Sequence, residues 1–177
     1  MKFGIDDSVA FRPLAIAILT VSDSRTEETD HSGRLLAERA RAAGHQLAAR
    51  LIVPDDAEII EAQLRAWIEN PAIDCVIATG GTGVTGRDVT PEAFLRVYDK
   101  EIPGFGEFFR TLSMRSIGLS AIQSRATAGV AGGTLLFALP GSTGACKDGW
   151  DEILVHQLDS RYRPCNFAEL IPRLMET

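Results

Sequence analysis

The chain has 177 residues, of which 45% are hydrophobic and 24% charged, values typical of one globular domain with a single core. Its net charge of -6 argues against a general nucleic-acid-binding protein, because such proteins present a basic face. No apolar run approaches the roughly 18 residues of a membrane span, and the first residues lack the apolar segment of a signal peptide. The three cysteines and three histidines share no metal-ligand spacing, so we expect reduced thiols and a cytoplasmic protein.

The first half of the sequence predicts alternating strands and helices. The apolar patterns of residues 14–21, 46–53 and 72–78 predict strands. Helical spacing predicts one helix from about Asp30 to Gly44 and a second that begins near Asp55 and stops before Pro71. Because crossovers between parallel strands are right-handed, this order predicts a parallel sheet with helices on both faces.

The second half predicts a helix after Pro103, a hairpin and a final helix. The hairpin pairs residues 126–130 with residues 134–139, and the final helix follows residues 140–142. Residues 1–12 predict a loose arm, and residues 161–167 an irregular tail that packs along a surface. The fold class is therefore α/β: a mostly parallel sheet with a short antiparallel hairpin, in one domain of residues 13–177 behind an arm of residues 1–12.

The most informative segment is the buried strand of residues 72–78 with the sequence TGGTG of residues 79–83 directly after it. Glycines allow positive φ and carry no Cβ that would block a ligand. Successive N–H groups in such a loop can bind a phosphate, and ligands of open α/β sheets bind beyond the carboxyl ends of the strands. This segment predicts an anion site.

The same segment contains the dinucleotide-binding pattern G-x-G-x-x-G at residues 81–86. That pattern requires a helix opening at the loop and an acidic residue at a strand end about 20 residues later. Here the next helix is predicted to begin later, with Thr90 as its N-cap and Pro91 as its first residue, and residues 102–105 are no strand end. The sequence therefore disfavours a dinucleotide site, and the missing Gly-Lys-Ser/Thr excludes a Walker A loop.

Polar residues gather in the strand-end loops of residues 20–25, 53–56, 79–88 and 139–142, which we expect to converge on one crevice.

Each of these polar residues also has a purely structural explanation. Asp55 can cap the following helix, Asp88 can form a turn, and Asp23 can form an Asx-turn. Ser142 can cap the final helix, and Arg125 fits a salt-bridge partner as well as a phosphate clamp.

Several segments, taken together and in order, resemble the MoaB/MogA family of molybdenum cofactor biosynthesis. They are residues 20–25 (TVSDSR), 30–33 (DHSG), 53–56 (VPDD), 79–83 (TGGTG) with 87–92 (RDVTPE), and 139–142 (LPGS). The resemblance covers nearly the whole chain from about residue 13. Residues 144–146 and 157–167 resemble the MoaB branch of the family in particular.

The resemblance implies a three-layer molybdopterin-binding fold and the Mg2+-dependent transfer of an adenylyl group from ATP to molybdopterin, with release of pyrophosphate. It implies that Asp55 and Asp88 are the catalytic acids and that Asp88 is the Mg2+ ligand. It also implies binding residues for molybdopterin and ATP: Ser22, Asp23, Thr79, Gly80, Gly81, Thr82, Gly83, Pro140, Gly141 and Ser142.

The resemblance further implies a homo-oligomer, a trimer or a hexamer. The aromatic residues of 105–109 fit the core or a subunit interface, and with the tail of residues 162–167 they supply apolar surface for such an assembly. A molybdate-inserting enzyme downstream is a candidate partner. Two other functions stay open: a molybdopterin-binding or scaffold protein without catalysis, and a nucleotide-binding regulator that uses the glycine loop alone. If the loop binds phosphate through its backbone, Gly81→Val should impair binding with little loss of fold.

Overall fold

A computed structural model describes residues 3–176; Met1 and Lys2 of the predicted arm and Thr177 of the predicted tail lie outside the described residues. The strands are β1 (Gly4–Ile5), β2 (Ala15–Val21), β3 (Gln46–Val53), β4 (Cys75–Thr79), β5 (Lys100–Glu101), β6 (Thr127–Ala131), β7 (Thr134–Leu139) and β8 (Tyr162–Arg163). The helices are α1 (His31–Ala42), α2 (Ala57–Ile68), α3 (Thr90–Leu95), α4 (Pro103–Ile117), α5 (Thr143–Gly149) and α6 (Val155–Gln157). A π-helical turn, Trp150–Leu154, joins α5 to α6, and 3-10 helices occupy Gly118–Gln123 and Ile171–Arg173.

The main sheet has the strand order β3-β2-β4-β7-β6-β5. Strands β3, β2, β4 and β7 are parallel, whereas β6 runs antiparallel to both of its neighbours. The predicted parallel sheet and the predicted hairpin are both confirmed.

Two hydrophobic cores cover the two faces of this sheet. Alternate residues of β2 enter different cores: Ile16 and Ile18 pack with α1, α4 and α5, while Ala17 and Leu19 pack with α2 and α3. Every residue of β4 is buried because both faces are covered, which explains why its sequence lacks polar alternation. The arrangement has the three layers that the family resemblance implies.

The helix starts differ in part from the prediction. Helix α1 starts near Asp30 as predicted, and Asp30 is its cap, because its carboxylate accepts the Gly33 N–H at 2.8 Å. Helix α2 is capped by Asp56, whose carboxylate accepts the N–H groups of Glu58 and Ile59, so the prediction of Asp55 as the cap was wrong. Asp55 is therefore not needed to start α2.

Thr90 was also predicted wrongly as a cap. Val89 holds the N-cap position of α3, and its side chain makes no capping hydrogen bond with any described residue. The N–H of Thr90 instead donates to the carbonyl of Gly81 at 3.0 Å, and Pro91 has no N–H to cap. The start of α3 is therefore attached to the glycine loop through the main chain of Thr90, the residue that was expected to cap the helix.

A segment near the start of the chain pairs with the predicted tail outside the main sheet. Strand β1 of the predicted arm pairs antiparallel with β8 of the predicted tail, with Gly4 opposite Arg163 and Ile5 opposite Tyr162. None of the described helices is both long enough and apolar enough to cross a membrane.

Candidate functional site

A crevice of about 400 Å³ opens at the carboxyl ends of β2 and β4, where the strand-end loops converge as predicted. Its lining residues come from these loops and from the starts of α1 and α5: Thr20, Val21, Ser22, Ser24, Arg25, Asp30, His31, Ser32, Asp55, Thr79, Gly80, Gly81, Asp88, Gly141, Ser142 and Thr143.

An adjoining cavity of about 370 Å³ lies between the glycine loop and the C-terminal half of α4. Gly81, Asp88, Gly141 and Ser142 line both cavities, so the two form neighbouring chambers that share one wall. The expected site residues Thr82, Gly83 and Pro140 line this second chamber rather than the crevice.

The glycines of the loop make room for protein atoms. Gly80 has φ +107°, and a Cβ there would lie 2.1 Å from the carbonyl oxygen of Val21. Gly81 has φ +62°, and its Cβ would lie 2.4 Å from the Thr90 hydroxyl oxygen. A valine at position 81 would therefore strain the backbone and collide with a fully buried side chain. The expectation that Gly81→Val spares the fold was wrong, since that position is packed against the protein itself.

The two threonines of the loop are buried. Thr79 is 1% exposed, and its hydroxyl donates to the carbonyl of Pro140 at 3.0 Å. The same hydroxyl lies 3.0 Å from the Cys146 thiol, whose pKa burial raises to about 11. Thr79 thus holds the glycine loop against residues 140–142, and Cys146 is a buried neutral thiol rather than a nucleophile.

Asp55 and Asp88 both line the crevice, and their carboxyl groups have opposite pKa shifts. Burial raises the pKa of Asp55, and the negative charges of Asp23 and Asp88 raise it further. For Asp88, the hydrogen bond from the Thr85 hydroxyl lowers the pKa and outweighs burial. Acidic groups whose pKa values are pushed apart are typical of sites that assign them different roles.

Asp88 also has the structural role that was considered as its alternative. Its carboxylate accepts the N–H of Thr85 at 2.9 Å and the hydroxyl of Thr85 at 2.6 Å. Asp23 does not line the crevice; it accepts the N–H of Asp55 at 3.2 Å and pairs with Arg87. Asp23 therefore supports Asp55 from outside the crevice.

Asp30 is the buried acid of the crevice and was not among the expected site residues. It is 1% exposed and forms an ion pair with Arg50 at 2.7 Å, and the Thr20 hydroxyl donates to it at 2.9 Å. Burial alone would raise the pKa of Asp30, but the hydrogen bonds from Arg50, the Gly33 N–H and Thr20 outweigh it, so this pKa lies below its usual value. Its place in the DHSG segment is the signal that could have identified it.

The N-terminus of α1 and the side chain of Arg25 supply positive potential to the crevice. Beside them, the Ser32 hydroxyl donates to the carbonyl of Gly141 at 3.0 Å, which ties α1 to the loop before α5. Ser142 caps α5 as predicted, accepting the Ala145 N–H at 3.1 Å. Arg25, His31 and Thr143 were not expected from the sequence, because nothing local indicates which loop side chains face the crevice. A helix N-terminus and a guanidinium group are both groups that can bind an anion.

Among residues 3–176, no group of three or more His, Cys, Asp or Glu side chains could hold a metal ion by itself. The crevice is lined by the carboxylates of Asp55 and Asp88. Such a donor set fits Mg2+, which is commonly held by one or two carboxylates together with substrate phosphates.

Residues 17–160 match the family model described as "Probable molybdopterin binding domain". The chain is 52% identical over 160 residues to molybdenum cofactor biosynthesis protein B of Escherichia coli strain K12, covering 90% of this chain and 94% of that one. The chain belongs to the MoaB/MogA family. This membership identifies it as a molybdopterin-binding protein of molybdenum cofactor biosynthesis.

Solved structures agree with this membership. A crystal structure of molybdenum cofactor biosynthesis protein B superposes with a TM-score of 0.86 at 39% identity, covering 96% of this chain and 100% of that chain. The tungsten cofactor synthesizing protein MoaB from Pyrococcus furiosus superposes with a TM-score of 0.72 at 37% identity, covering 82% and 92%. The fold is thus the molybdopterin-binding fold of MoaB proteins.

Proposed function

We propose that this MoaB/MogA-family protein transfers the adenylyl group of ATP to the terminal phosphate of molybdopterin in a reaction that requires Mg2+. The observation that carries the proposal is that Asp55 and Asp88 line one crevice and have oppositely shifted pKa values. Family membership supports molybdopterin as the acceptor.

The reaction joins two anions. A terminal phosphate oxygen of molybdopterin attacks the α-phosphorus of ATP, a new P–O bond forms, and the bond from the α-phosphorus to the bridging oxygen breaks as pyrophosphate leaves. Because both reactants are negatively charged, the catalyst must offset charge and fix geometry. The α1 N-terminus and Arg25 would bind phosphate oxygens in this crevice.

The two acids would have different tasks. Asp88, whose lowered pKa keeps it ionised, would hold Mg2+ together with ATP phosphates. When bound, Mg2+ supplies charge neutralisation on the phosphates. Asp55, whose pKa is raised by burial and by Asp23, is the more basic of the two carboxylates and would accept a proton or hydrogen bond from a phosphate group.

The alternative is a molybdopterin-binding or scaffold protein that transfers no adenylyl group. The structural role of Asp88 favours it, since the Thr85 hydrogen bonds account for this acid without chemistry. The packing of Gly80 and Gly81 against protein atoms likewise accounts for these glycines without a ligand.

The deciding experiment mixes the purified protein with molybdopterin, ATP and Mg2+ and measures adenylylated molybdopterin. Asp55→Asn is the sharpest variant, and Asp56→Asn is its matched control. Both make the same change in neighbouring residues, but only Asp55 lines the crevice, and asparagine is itself a good helix cap. We expect Asp55→Asn to lose roughly two orders of magnitude in turnover, as for removal of one electrostatic contributor, while Asp56→Asn stays near the parent.

Asp88→Asn completes the series. The amide keeps the size of the side chain and can still accept the Thr85 N–H, so molybdopterin binding should survive while turnover falls by roughly two orders of magnitude. Full activity of both Asp55→Asn and Asp88→Asn would refute the assignment of these acids. A parent protein that binds ATP and molybdopterin without forming product would establish the scaffold function.

We also propose that the protein is a homo-oligomer, a trimer or a hexamer, and that a molybdate-inserting enzyme takes up its product. Several large apolar side chains at the end of α4 and in the 3-10 helix after it are exposed, which supports assembly: Met114, Ile117, Leu119 and Ile122.

A further inference from the structure

Arg125 lies behind the glycine loop and contacts both ends of its outer turn. Its Nε donates to the carbonyl of Gly83 at 2.6 Å, and its Nη2 donates to the carbonyl of Asp88 at 2.6 Å. Its own main-chain N–H donates to the carbonyl of Thr82 at 3.0 Å. One side chain therefore joins the beginning and the end of the segment that leads to Asp88.

The remaining arm of the guanidinium, Nη1, forms an ion pair with Glu92 on α3. Arg125 and Glu92 line a cavity between α3 and α4, and neither belongs to the lining of the crevice. Arg125 thus connects the loop to α3 and to the start of β6 from outside the crevice.

The other hydrogen bonds of this turn have a different character. The N–H and the hydroxyl of Thr85 bind the Asp88 carboxylate, and the Asp88 N–H donates to the carbonyl of Thr85 at 3.1 Å. These bonds lie inside the turn, so they shape it without attaching it to the rest of the protein. Val84 in this turn is 66% exposed, and the exposed side chain of Arg87 forms an ion pair with Asp23, which is a second attachment of the turn, to the loop after β2.

We propose that Arg125 is a positioning residue of the crevice: its guanidinium fixes the turn that carries Asp88 and thereby sets the binding of Mg2+–ATP without contacting a substrate. Its effect on turnover rests on the proposed function, whereas its effect on the loop does not. A planar guanidinium can reach two carbonyls at once, and the single ammonium group of a lysine cannot reproduce that geometry.

The test compares Arg125→Lys with Glu92→Gln. The lysine keeps the charge and loses the two-point contact, while the glutamine removes the ion pair and leaves both carbonyl contacts in place. In Arg125→Lys we expect amide hydrogen exchange across residues 83–88 to accelerate about tenfold or more, with β4 amides unchanged. The KM for Mg2+–ATP should rise about tenfold, with kcat at saturation within about threefold of the parent. In Glu92→Gln the exchange rates of residues 83–88 and the KM for Mg2+–ATP should both stay within about threefold of the parent.

Three outcomes would overturn the proposal: unchanged exchange across residues 83–88 in Arg125→Lys, faster exchange with an unchanged KM, or an effect of Glu92→Gln as large as that of the lysine. A parent protein without adenylyl transfer would refute the proposed function alone. The role of Arg125 would still be tested by amide hydrogen exchange of residues 83–88 and by the equilibrium affinity for Mg2+–ATP. If Arg125→Lys does not fold, the proposal is tested in the parent protein by the NMR signal of the Arg125 Nε–H proton. We expect its solvent exchange to be slow, and rapid exchange would reject the carbonyl contacts.

Discussion

Thr90 is buried to 0% exposure, and its hydroxyl oxygen has no hydrogen-bond partner among the described residues. Thr20 is buried to 4%, but its hydroxyl donates to Asp30. The two threonines therefore have similar burial and opposite hydrogen bonding. An unpaired buried hydroxyl lowers stability, whereas a paired one is costly to remove.

We predict opposite effects when each of these threonines is replaced by valine. Thr90→Val should raise the free energy of unfolding by about 1 kcal/mol, because it removes a buried hydroxyl without a partner. Thr20→Val should lower it by about 1–3 kcal/mol, because Asp30 loses a donor. Urea denaturation of both variants measures the difference. Equal destabilisation by the two substitutions would contradict the prediction.

The pKa of Asp55 predicts a pH-dependent stability for Asp55→Asn. Because the folded pKa is raised, the folded protein binds more protons than the unfolded chain between the usual pKa and the raised one. The contribution of Asp55 to the free energy of unfolding therefore falls as the pH rises from its usual pKa through its raised pKa. Asp55→Asn should exceed the parent in the free energy of unfolding at neutral pH, by less than about 1 kcal/mol because the site is partly solvated.

This gain should vanish at a pH of about 3 and below, where the carboxyl group is mostly protonated in both folded and unfolded states because its usual pKa is about 3.9. Denaturation curves at several pH values provide the measurement, with Asp56→Asn as the control. A gain that persists at acid pH would point to a cause other than the charge.

At the scale of elements, the glycine loop depends on strand packing. The loop leaves β4 at Gly80, where positive φ and the close carbonyl of Val21 leave no space for a side chain. Gly86 lies at the outer turn, where a Cβ would meet no heavy atom of the described residues within 4 Å and φ is not positive. Two glycines of one loop thus serve different purposes.

We predict that Gly80→Ala destabilises the protein and Gly86→Ala does not. Strain at φ +107° and the collision with Val21 should lower the free energy of unfolding by at least about 2 kcal/mol. Gly86→Ala should leave it within about 0.5 kcal/mol of the parent or raise it, since alanine restricts the unfolded chain. Melting temperatures of the two proteins test this, and equal melting temperatures would contradict it.

At the scale of the whole molecule, the apolar surface differs from the one expected from the sequence. Phe105 and Phe109 are 4% and 1% exposed and belong to the core, whereas Phe108 is 53% exposed. The large exposed apolar residues instead include Leu119 at 75% and Ile122 at 73%, in the 3-10 helix after α4. This surface is where we expect subunits to meet.

We predict a trimer or a hexamer at micromolar concentration. Ile122→Glu should reduce the mass measured by light scattering to that of smaller species, because a charge would be buried in the interface. Ile59→Glu on α2, at a residue 44% exposed, is the control and should leave the mass unchanged. A parent protein that remains monomeric would refute the oligomer, and an unaffected Ile122→Glu would refute this surface.

The sequence by itself determined the order of the central elements and the place of the crevice. Strands β2 and β4 are buried on both faces, so their apolar runs predict them without knowledge of their neighbours. Parallel strands place their carboxyl ends at one edge, so the loops carrying Asp55 and Asp88 had to converge there. Asp30 and Ser142 cap the helices that follow them, because an N-cap acts within three residues.

Only the tertiary structure decided what each loop residue contacts. Whether Asp55 or Asp56 caps α2 depends on the backbone angles of the turn, and two adjacent aspartates are equivalent in a sequence pattern. The role of Arg125 depends on carbonyl groups of residues 83 and 88, and carbonyl groups leave no signal in the sequence. The burial of Phe105 and Phe109 depends on which face of α4 meets the sheet. Contacts between distant segments are set by packing, whereas the positions of strands and helices along the chain follow from local chemistry.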